Sequence, residues 1–285
     1  MTVRAAQADH SPGAAKRPRQ KSDGQRNPGK NGLFNSSLER GLRILSIFDQ
    51  GHTSLGLAQI SNKTGIDKSA VQRFTSTLLE LGYLRKDSAT RHYSLSPRLL
   101  HLGSSFLRGN ALVERATPYM LNCNKELSET VNLAVLDGAD VIIIIRIPSR
   151  DVVSPNVGLG SSFPWHVTAL GQAIVSHLPP EAQTHLINDV RFHRYASGTL
   201  MTKDQLVNRL EHARRSGVVT SVSETFEGDI SIASPVFDYS GAVVAAVNIV
   251  GMITKWHNKE AERFPPIVRA LADMISSSPQ FSRMT

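Results

Sequence analysis

The chain has 285 residues, 40% of them apolar, and carries 32 Lys and Arg against 24 Asp and Glu, a formal net charge of +8. That length accommodates about two domains of ordinary size, and the apolar fraction is enough for packed cores. A single cysteine, Cys123, excludes an internal disulfide framework and any multi-cysteine zinc site.

The longest apolar run, Val141–Ile145, is far too short to cross a bilayer, and the first thirty residues hold no apolar stretch like that of a secretory signal. The expectation is a soluble cytoplasmic protein. Charge is unevenly divided: residues 1–34 have a net of +5, residues 35–98 a net of +4, and the remaining 187 a net of −1. A basic N-terminal third on a near-neutral remainder suits a polyanion-binding module attached to a sensing or assembly domain.

Residues 1–34, rich in Gly, Pro, Gln, Lys and Arg, read as a disordered basic tail. Order is expected from Asn35-Ser36-Ser37, where serine can cap a helix and Glu39 favours its dipole. Leu38, Leu42, Leu45 and Phe48 give one apolar stripe, ended by Gly51. A second helix spans Leu57 to Lys63, Thr64-Gly65-Ile66 makes a tight turn, and Asp67 caps a third helix running to Leu81. On that third helix Val71, Phe74, Leu78 and Leu81 should face inward. Lys68, Ser69, Gln72, Arg73 and Ser76 should face out, and these are the residue types that reach phosphates and base edges.

After Gly82, strand residues Tyr83-Leu84 and Tyr93-Leu95 flank a polar turn. They predict a wing bearing Arg85, Lys86 and Arg91, with Arg98 just beyond. Every amphipathic helix has a polar face, so the third helix alone says little. The glycine turn, the wing and the charge division together make residues 35–98 a winged helix-turn-helix DNA-binding domain. Residues 99–112 are expected to continue as a linker helix, and residues 113–285 to form the near-neutral second domain, for sensing or assembly.

In that second domain a helix is expected as far as Glu129. Strands Thr130–Leu136 and Val141–Ile147 are joined across Asp137-Gly138-Ala139-Asp140. Thr168–His177 reads as a helix stopped by Pro179-Pro180. Thr202 and Gln205 make a capping box for a helix closed by Gly217. Strands follow at Val218–Val222, Ile230–Val236 and Ala242–Val250. A last helix, from about Asn258 to Ser276, should be broken or kinked by Pro265-Pro266. Central antiparallel strands with helices before and after describe an α+β domain. Glu224 and Asp229 flank Gly228 in a loop, and a Glu224–Arg146 ion pair is conceivable.

An enzyme is not expected. The chain has no G-x-S-x-G elbow, phosphate loop, H-E-x-x-H or Rossmann glycine pattern, and its ten histidines are scattered. No cofactor or metal is expected either.

The stretches "SLERGLRILSIF", "LAQISNKTGIDKSAVQRFTSTLLELGYL" and "HYSLSPRLLHLG" resemble the IclR family of bacterial transcriptional regulators. So do "ETVNLAVLDGADVIIIIRI", "FPWHVTALGQAIVSHLP" and "SETFEGDISIASPVFDYSGAVVAAVNI", and the likeness covers about residues 35–278. It implies a winged helix-turn-helix, a linker helix and a GAF-like α/β domain that senses a small, aromatic or short carboxylic acid. Its partners would be double-stranded operator DNA, the effector, and further copies in a homodimer or homotetramer, with no membrane.

Carried over from the family, Ala169 and Leu170 would offer backbone amides to the acid, and Thr168, Ser221, Ser231 and Asn248 side-chain hydrogen bonds. Phe163, Trp165 and Val250 would form apolar walls. Some members have an acidic residue and a cysteine where this chain has Ser221 and Ser231, which bears on effector identity. Asn248 could equally satisfy neighbouring backbone, and Trp165 and His166 could be ordinary packing.

Overall fold

A computed structural model describes residues 33–49, 51–150, 157–256 and 261–277, so the tail expected over residues 1–34 lies almost wholly outside them. The chain divides into two compact units, Met1–Ser104 and Ser105–Thr285.

In the first unit, α1 (Ser36–Ser46) is capped by Asn35, whose side chain accepts from the Ser37 and Leu38 amides; the serines do not cap it. The expected stripe is only half right. Ile44 is its buried residue, with Leu45, Ile47 and Phe48 packed beside the core, while Leu38 and Leu42 are 62% and 56% exposed. The helix is apolar on more than one side, and only the side that carries Ile44 and Leu45 packs into the core.

Helix α2 (Leu57–Thr64) ends at Gly65 with φ +71°, the left-handed conformation that a residue with a Cβ resists. Helix α3 (Lys68–Glu80) starts at Asp67, whose carboxylate accepts from the Ala70 amide. It buries Ala70, Val71, Thr75 and Leu78. Leu81, expected inside, is 50% exposed because it caps the helix where the chain turns away. The wing pairs β1 (Leu84–Lys86) with β2 (Tyr93–Leu95), and Leu55 adds a bridge to Tyr93.

Helix α4 (Leu99–Gly109) runs across the division between the units. A new cap at Asn110 begins α5 (Ala111–Leu127), so the expected linker of residues 99–112 is interrupted near its end. The second unit is built on one antiparallel sheet of β3 (Thr130–Asp137), β4 (Asp140–Ile147), β5 (Ser162–Pro164), β6 (Val219–Val222), β7 (Asp229–Phe237) and β8 (Val243–Met252). Their order is β5-β4-β3-β8-β7-β6. The capping box at Thr202 and Gln205 opens α8 (Lys203–Ser216), which Gly217 closes at φ +71°.

Strand alternation gives the sheet two unlike faces. Val131, Leu133, Ile232, Val247 and Ile249 point to one face, where Met120 of α5 and Phe264 and Leu271 of α9 (Phe264–Ser277) complete a core. The opposite face offers Ala134, Ala233 and Ala246 to α6 (Ala169–Val175). These small side chains let the helix lie close.

Gly171 of α6 is pressed further still. A Cβ there would stand 2.2 Å from the Trp165 carbonyl oxygen and 2.5 Å from its Cα. Pro179-Pro180 does not simply stop a helix: Pro180 is the first residue of α7 (Pro180–Asn188), an element not foreseen, in the position where a missing N–H costs nothing. Pro265 and Pro266 likewise sit in the first turn of α9, and a turn at residues 262–263 separates that helix from helical Ala261, so the expected break falls just ahead of the prolines. The earlier start expected for that helix falls at residues 257–260, outside the described residues.

Candidate functional site

On the first unit the polar face of α3 stands in solvent. Lys68, Ser69, Gln72, Arg73 and Ser76 are all exposed, as are Arg85, Lys86 and Arg91 of the wing. The Ser69 hydroxyl donates to the Asp67 carboxylate at 2.7 Å, so the cap also orients this first-turn side chain. Lys86 Nζ lies 5.2 Å from the centroid of the Tyr93 ring, which holds its stem along the hairpin. Arg98 is used differently: its guanidinium donates to the Leu81 carbonyl at 2.8 Å and packs over Tyr83, tying down the end of α3.

The second unit holds a cavity of about 330 Å³ between the sheet, the start of α6 and the loop before β7. That is the small end of the range for ligand sites, roughly 300–1,000 Å³. Beyond the alanine row under α6, the same sheet face turns polar. Arg146 Nη1 donates to Asn132 Oδ1 at 3.0 Å, Asn132 Nδ2 to Asn248 Oδ1 at 3.0 Å, and Asn248 Nδ2 to Ser231 Oγ at 2.8 Å.

These four residues come from β4, β3, β8 and β7, so one hydrogen-bonded chain crosses four strands of the cavity floor. Burial lowers the Arg146 pKa, and among the described residues no carboxylate lies within ion-pair distance of it. Phe163 and Phe226 meet edge to face on the wall, their centroids 5.7 Å apart at 87°.

Two acids shape the loop side. Glu224 is buried and accepts from Arg209 Nη1 and from Gln172 Nε2, each at 2.8 Å; burial raises its pKa against the pull of Arg209. The conceivable Glu224–Arg146 pair does not form, because Arg209 of α8 reaches Glu224 first. Asp229 lines the cavity, and its carboxyl is pushed up to about 7, chiefly by burial and further by Glu224 and Glu227. Its Oδ1 is sealed from solvent with no hydrogen-bond partner.

Comparison with known proteins matches both units of the chain. The model of the IclR helix-turn-helix domain matches residues 37–88, and that of the bacterial transcriptional regulator IclR C-terminal domain matches residues 105–277. This chain belongs to the IclR family. The Pca regulon regulatory protein of Pseudomonas putida is 32% identical over 241 residues, 83% of this chain and 81% of that protein.

A transcriptional regulator from Rhodococcus sp. RHA1 has a similar solved structure. Its TM-score is 0.72 at 28% identity, covering 85% of this chain and 97% of that one. An IclR homologue from Microbacterium hydrocarbonoxydans, solved in complex with 4-hydroxybenzoate, shares the fold at 24% identity. Its TM-score is 0.71, with 85% and 98% covered.

As an IclR regulator the chain binds DNA through its helix-turn-helix and a small-molecule effector through its C-terminal domain. The family is one of transcriptional regulators, not of enzymes. Among the described residues no helix is long and apolar enough to cross a membrane, and no His, Cys, Asp and Glu cluster could hold a metal ion.

Of the effector residues expected from sequence, Phe163, Thr168, Ala169, Leu170, Ser231, Asn248 and Val250 line the cavity. Two do not. Trp165 is buried in the core beneath α6, since the chain enters a 3-10 turn there and carries the indole inward. Ser221, paired in register with Ser231, is buried with its hydroxyl against the Glu224 carboxylate. His166 is core as well: its Nε2 is sealed and unpartnered, and burial pushes its pKa down to about 4.

Sequence reasoning missed Arg146, Asn132 and Thr130 as cavity residues. The available signal was a lone charge and a lone amide in otherwise apolar strands.

Proposed function

We propose that the cavity binds the carboxylate of a small aromatic or short carboxylic acid at Arg146, and that occupancy governs how α3 and the wing engage operator DNA. The observation that carries this reading is Arg146. Its guanidinium is half-buried in a ligand-sized cavity, fixed by Asn132 on one edge, and without a carboxylate partner among the described residues. A planar fork of donors in that setting suits a carboxylate held by two parallel hydrogen bonds. Thr168 caps α6 by accepting from the Gly171 amide, which leaves the Ala169 and Leu170 amides as further donors. The related homologue solved with 4-hydroxybenzoate supports an acid of this kind.

On the DNA side, Arg73 and Gln72 read base edges, while Lys68, Ser69, Ser76, Arg85, Lys86 and Arg91 contact phosphates and fix register. A homodimer or homotetramer presents recognition helices in pairs to a pseudo-palindromic operator. The protein works in the cytoplasm, on the nucleoid when bound. The effector acts by linkage: it favours the arrangement it binds more tightly, and so shifts operator affinity toward repression or activation.

A thermal-shift titration of the full chain with small carboxylic acids tests this. An acid that raises the melting temperature of the wild type should lose that effect in Arg146→Leu. An undiminished shift in the variant would remove Arg146 from the effector site.

A further inference from the structure

The loop before β7 forms one wall of the cavity, through Thr225, Phe226 and Glu227. Its two ends are pinned to each other. The Ser223 amide donates to the Asp229 carbonyl at 2.9 Å, and the Gly228 amide to Ser223 Oγ at 3.0 Å. Ser223 has φ +49° and Gly228 φ +78°, so the chain takes a left-handed turn at each end. A serine resists that conformation, and these bonds hold it there. What lies between is a short flap on a fixed base.

The flap is fastened unequally. Beside its base the Glu224 carboxylate is sealed against Arg209 and Gln172, and the Glu224 carbonyl accepts from Thr199 Oγ1 at 2.8 Å. Gly198 donates to the Ser223 carbonyl at 2.8 Å, and a Cβ on it would stand 2.0 Å from the Val222 carbonyl oxygen. Residues 196–199 are thus pressed against the fixed end. The same segment reaches the far end through Ser197, whose amide and hydroxyl donate to the two Glu227 carboxylate oxygens at 2.9 and 2.7 Å.

Ser197 and Glu227 both stand in solvent. Between the two ends, Thr225 Oγ1 donates to the Val167 carbonyl, and Phe226 is 40% exposed and belongs to neither core of the unit. Parting Arg209 from Glu224 would leave a buried charge without its partner, whereas the Ser197–Glu227 bonds can be exchanged for water. Local opening therefore starts at Glu227.

Resting on the reading of the cavity as the effector site, we propose that residues 225–227 are a lid that opens about the Glu224 anchor, with Ser197–Glu227 as its clasp. The clasp sets how fast the effector enters and leaves, and not how tightly it is held. A clasp shut in both the empty and the filled protein, once weakened, raises the open fraction of both by one factor, so entry and exit quicken together at constant Kd. Ser197 lies outside the cavity lining and acts through Glu227, as a positioning residue.

Hydrogen exchange and ligand kinetics of the full chain test this in Ser197→Ala and in Ser197→Thr, which restores the hydroxyl. Ser197→Ala should speed exchange of amides 225–228 at least about threefold while β6 and β7 keep their protection. Benzoate, 4-hydroxybenzoate and propionate serve as probes, NMR line shapes giving the dissociation rate and calorimetry the Kd. For an acid that binds, both rates should rise at least about threefold in Ser197→Ala with Kd within about twofold, and Ser197→Thr should return them toward wild type. Unchanged exchange at 225–228, exchange that rises across β6 and β7 alike, rates that do not move, or faster dissociation matched by weaker Kd each overturn the lid while the Arg146 reading stands. Binding by none of the three acids, or binding that ignores Arg146→Leu, overturns the cavity reading and the lid's role with it.

Discussion

On α3, Lys68, Gln72, Arg73 and Ser76 stand in water with their polar ends uncommitted, whereas Arg146, Asn132, Asn248 and Ser231 are tied to one another on the cavity floor. The exposed group needs only a firm helix beneath it, and Asp67, Thr75 and the Leu81–Arg98 contact provide that. The enclosed group must satisfy itself in the low-dielectric interior before it can recognise anything, because an unmatched polar atom there is costly. DNA-facing substitutions should therefore change affinity and spare stability, and cavity-floor substitutions should change affinity and cost stability as well.

The largest effect should come from Gly171→Ala. The added carbon would overlap Trp165 backbone that cannot swing away, so a loss of about 3 kcal/mol or more is expected in chemical denaturation of the second unit. A loss below about 1 kcal/mol would mean that α6 shifts easily, and that the cavity wall is soft.

Asn248→Leu should cost about 2–3 kcal/mol by stranding the Asn132 amide and the Ser231 hydroxyl. It should abolish the effector response and leave operator binding intact. An unchanged effector titration would take Asn248 out of the site.

Arg73→Ala should weaken operator binding by about 1–3 kcal/mol and leave the melting curve unmoved. Equal losses on operator and random DNA would show a phosphate contact instead of base reading. Lys86→Ala should weaken both DNAs alike and lower the slope of log affinity against log salt by about one.

The last effect concerns pH and a single carboxyl, that of Asp229. Its folded pKa, about 7, lies above the ordinary value of 3.8, so the native state holds the proton more tightly than the unfolded chain does. Stability should fall as pH rises from about 4 to 7, and Asp229→Asn should flatten that part of the profile. A parallel profile in the variant would assign the slope to other groups.

The first unit was largely legible in its sequence, and the reason is local. The Gly65 turn, the Asp67 cap and the polar face of α3 are each set by residues within a few positions of one another. Where local pattern left a choice it misled: α1 is apolar on more than one side, and only the elements packed against it show that Ile44 and not Leu38 faces inward. The cavity was half legible. Family motifs pointed to seven of its lining residues, but Trp165 and Ser221 turned into the core, and Arg146 looked like an interruption of an apolar strand. Asn132 and Asn248 are 116 residues apart in the chain and are joined by strand register, which no short window of sequence displays.

Gly251 lines the cavity, and a Cβ there would stand 2.3 Å from the indole of Trp256, so that ring is pressed against the back of the wall. The chain has two tryptophans, Trp165 under α6 and Trp256 behind Gly251, and both belong to the second unit. Light absorbed at the red edge of the protein band is therefore emitted from within the second unit, which also holds the cavity. The molecule carries its own optical gauge of occupancy, and a fluorescence titration can follow ligand entry without a label while operator DNA is present.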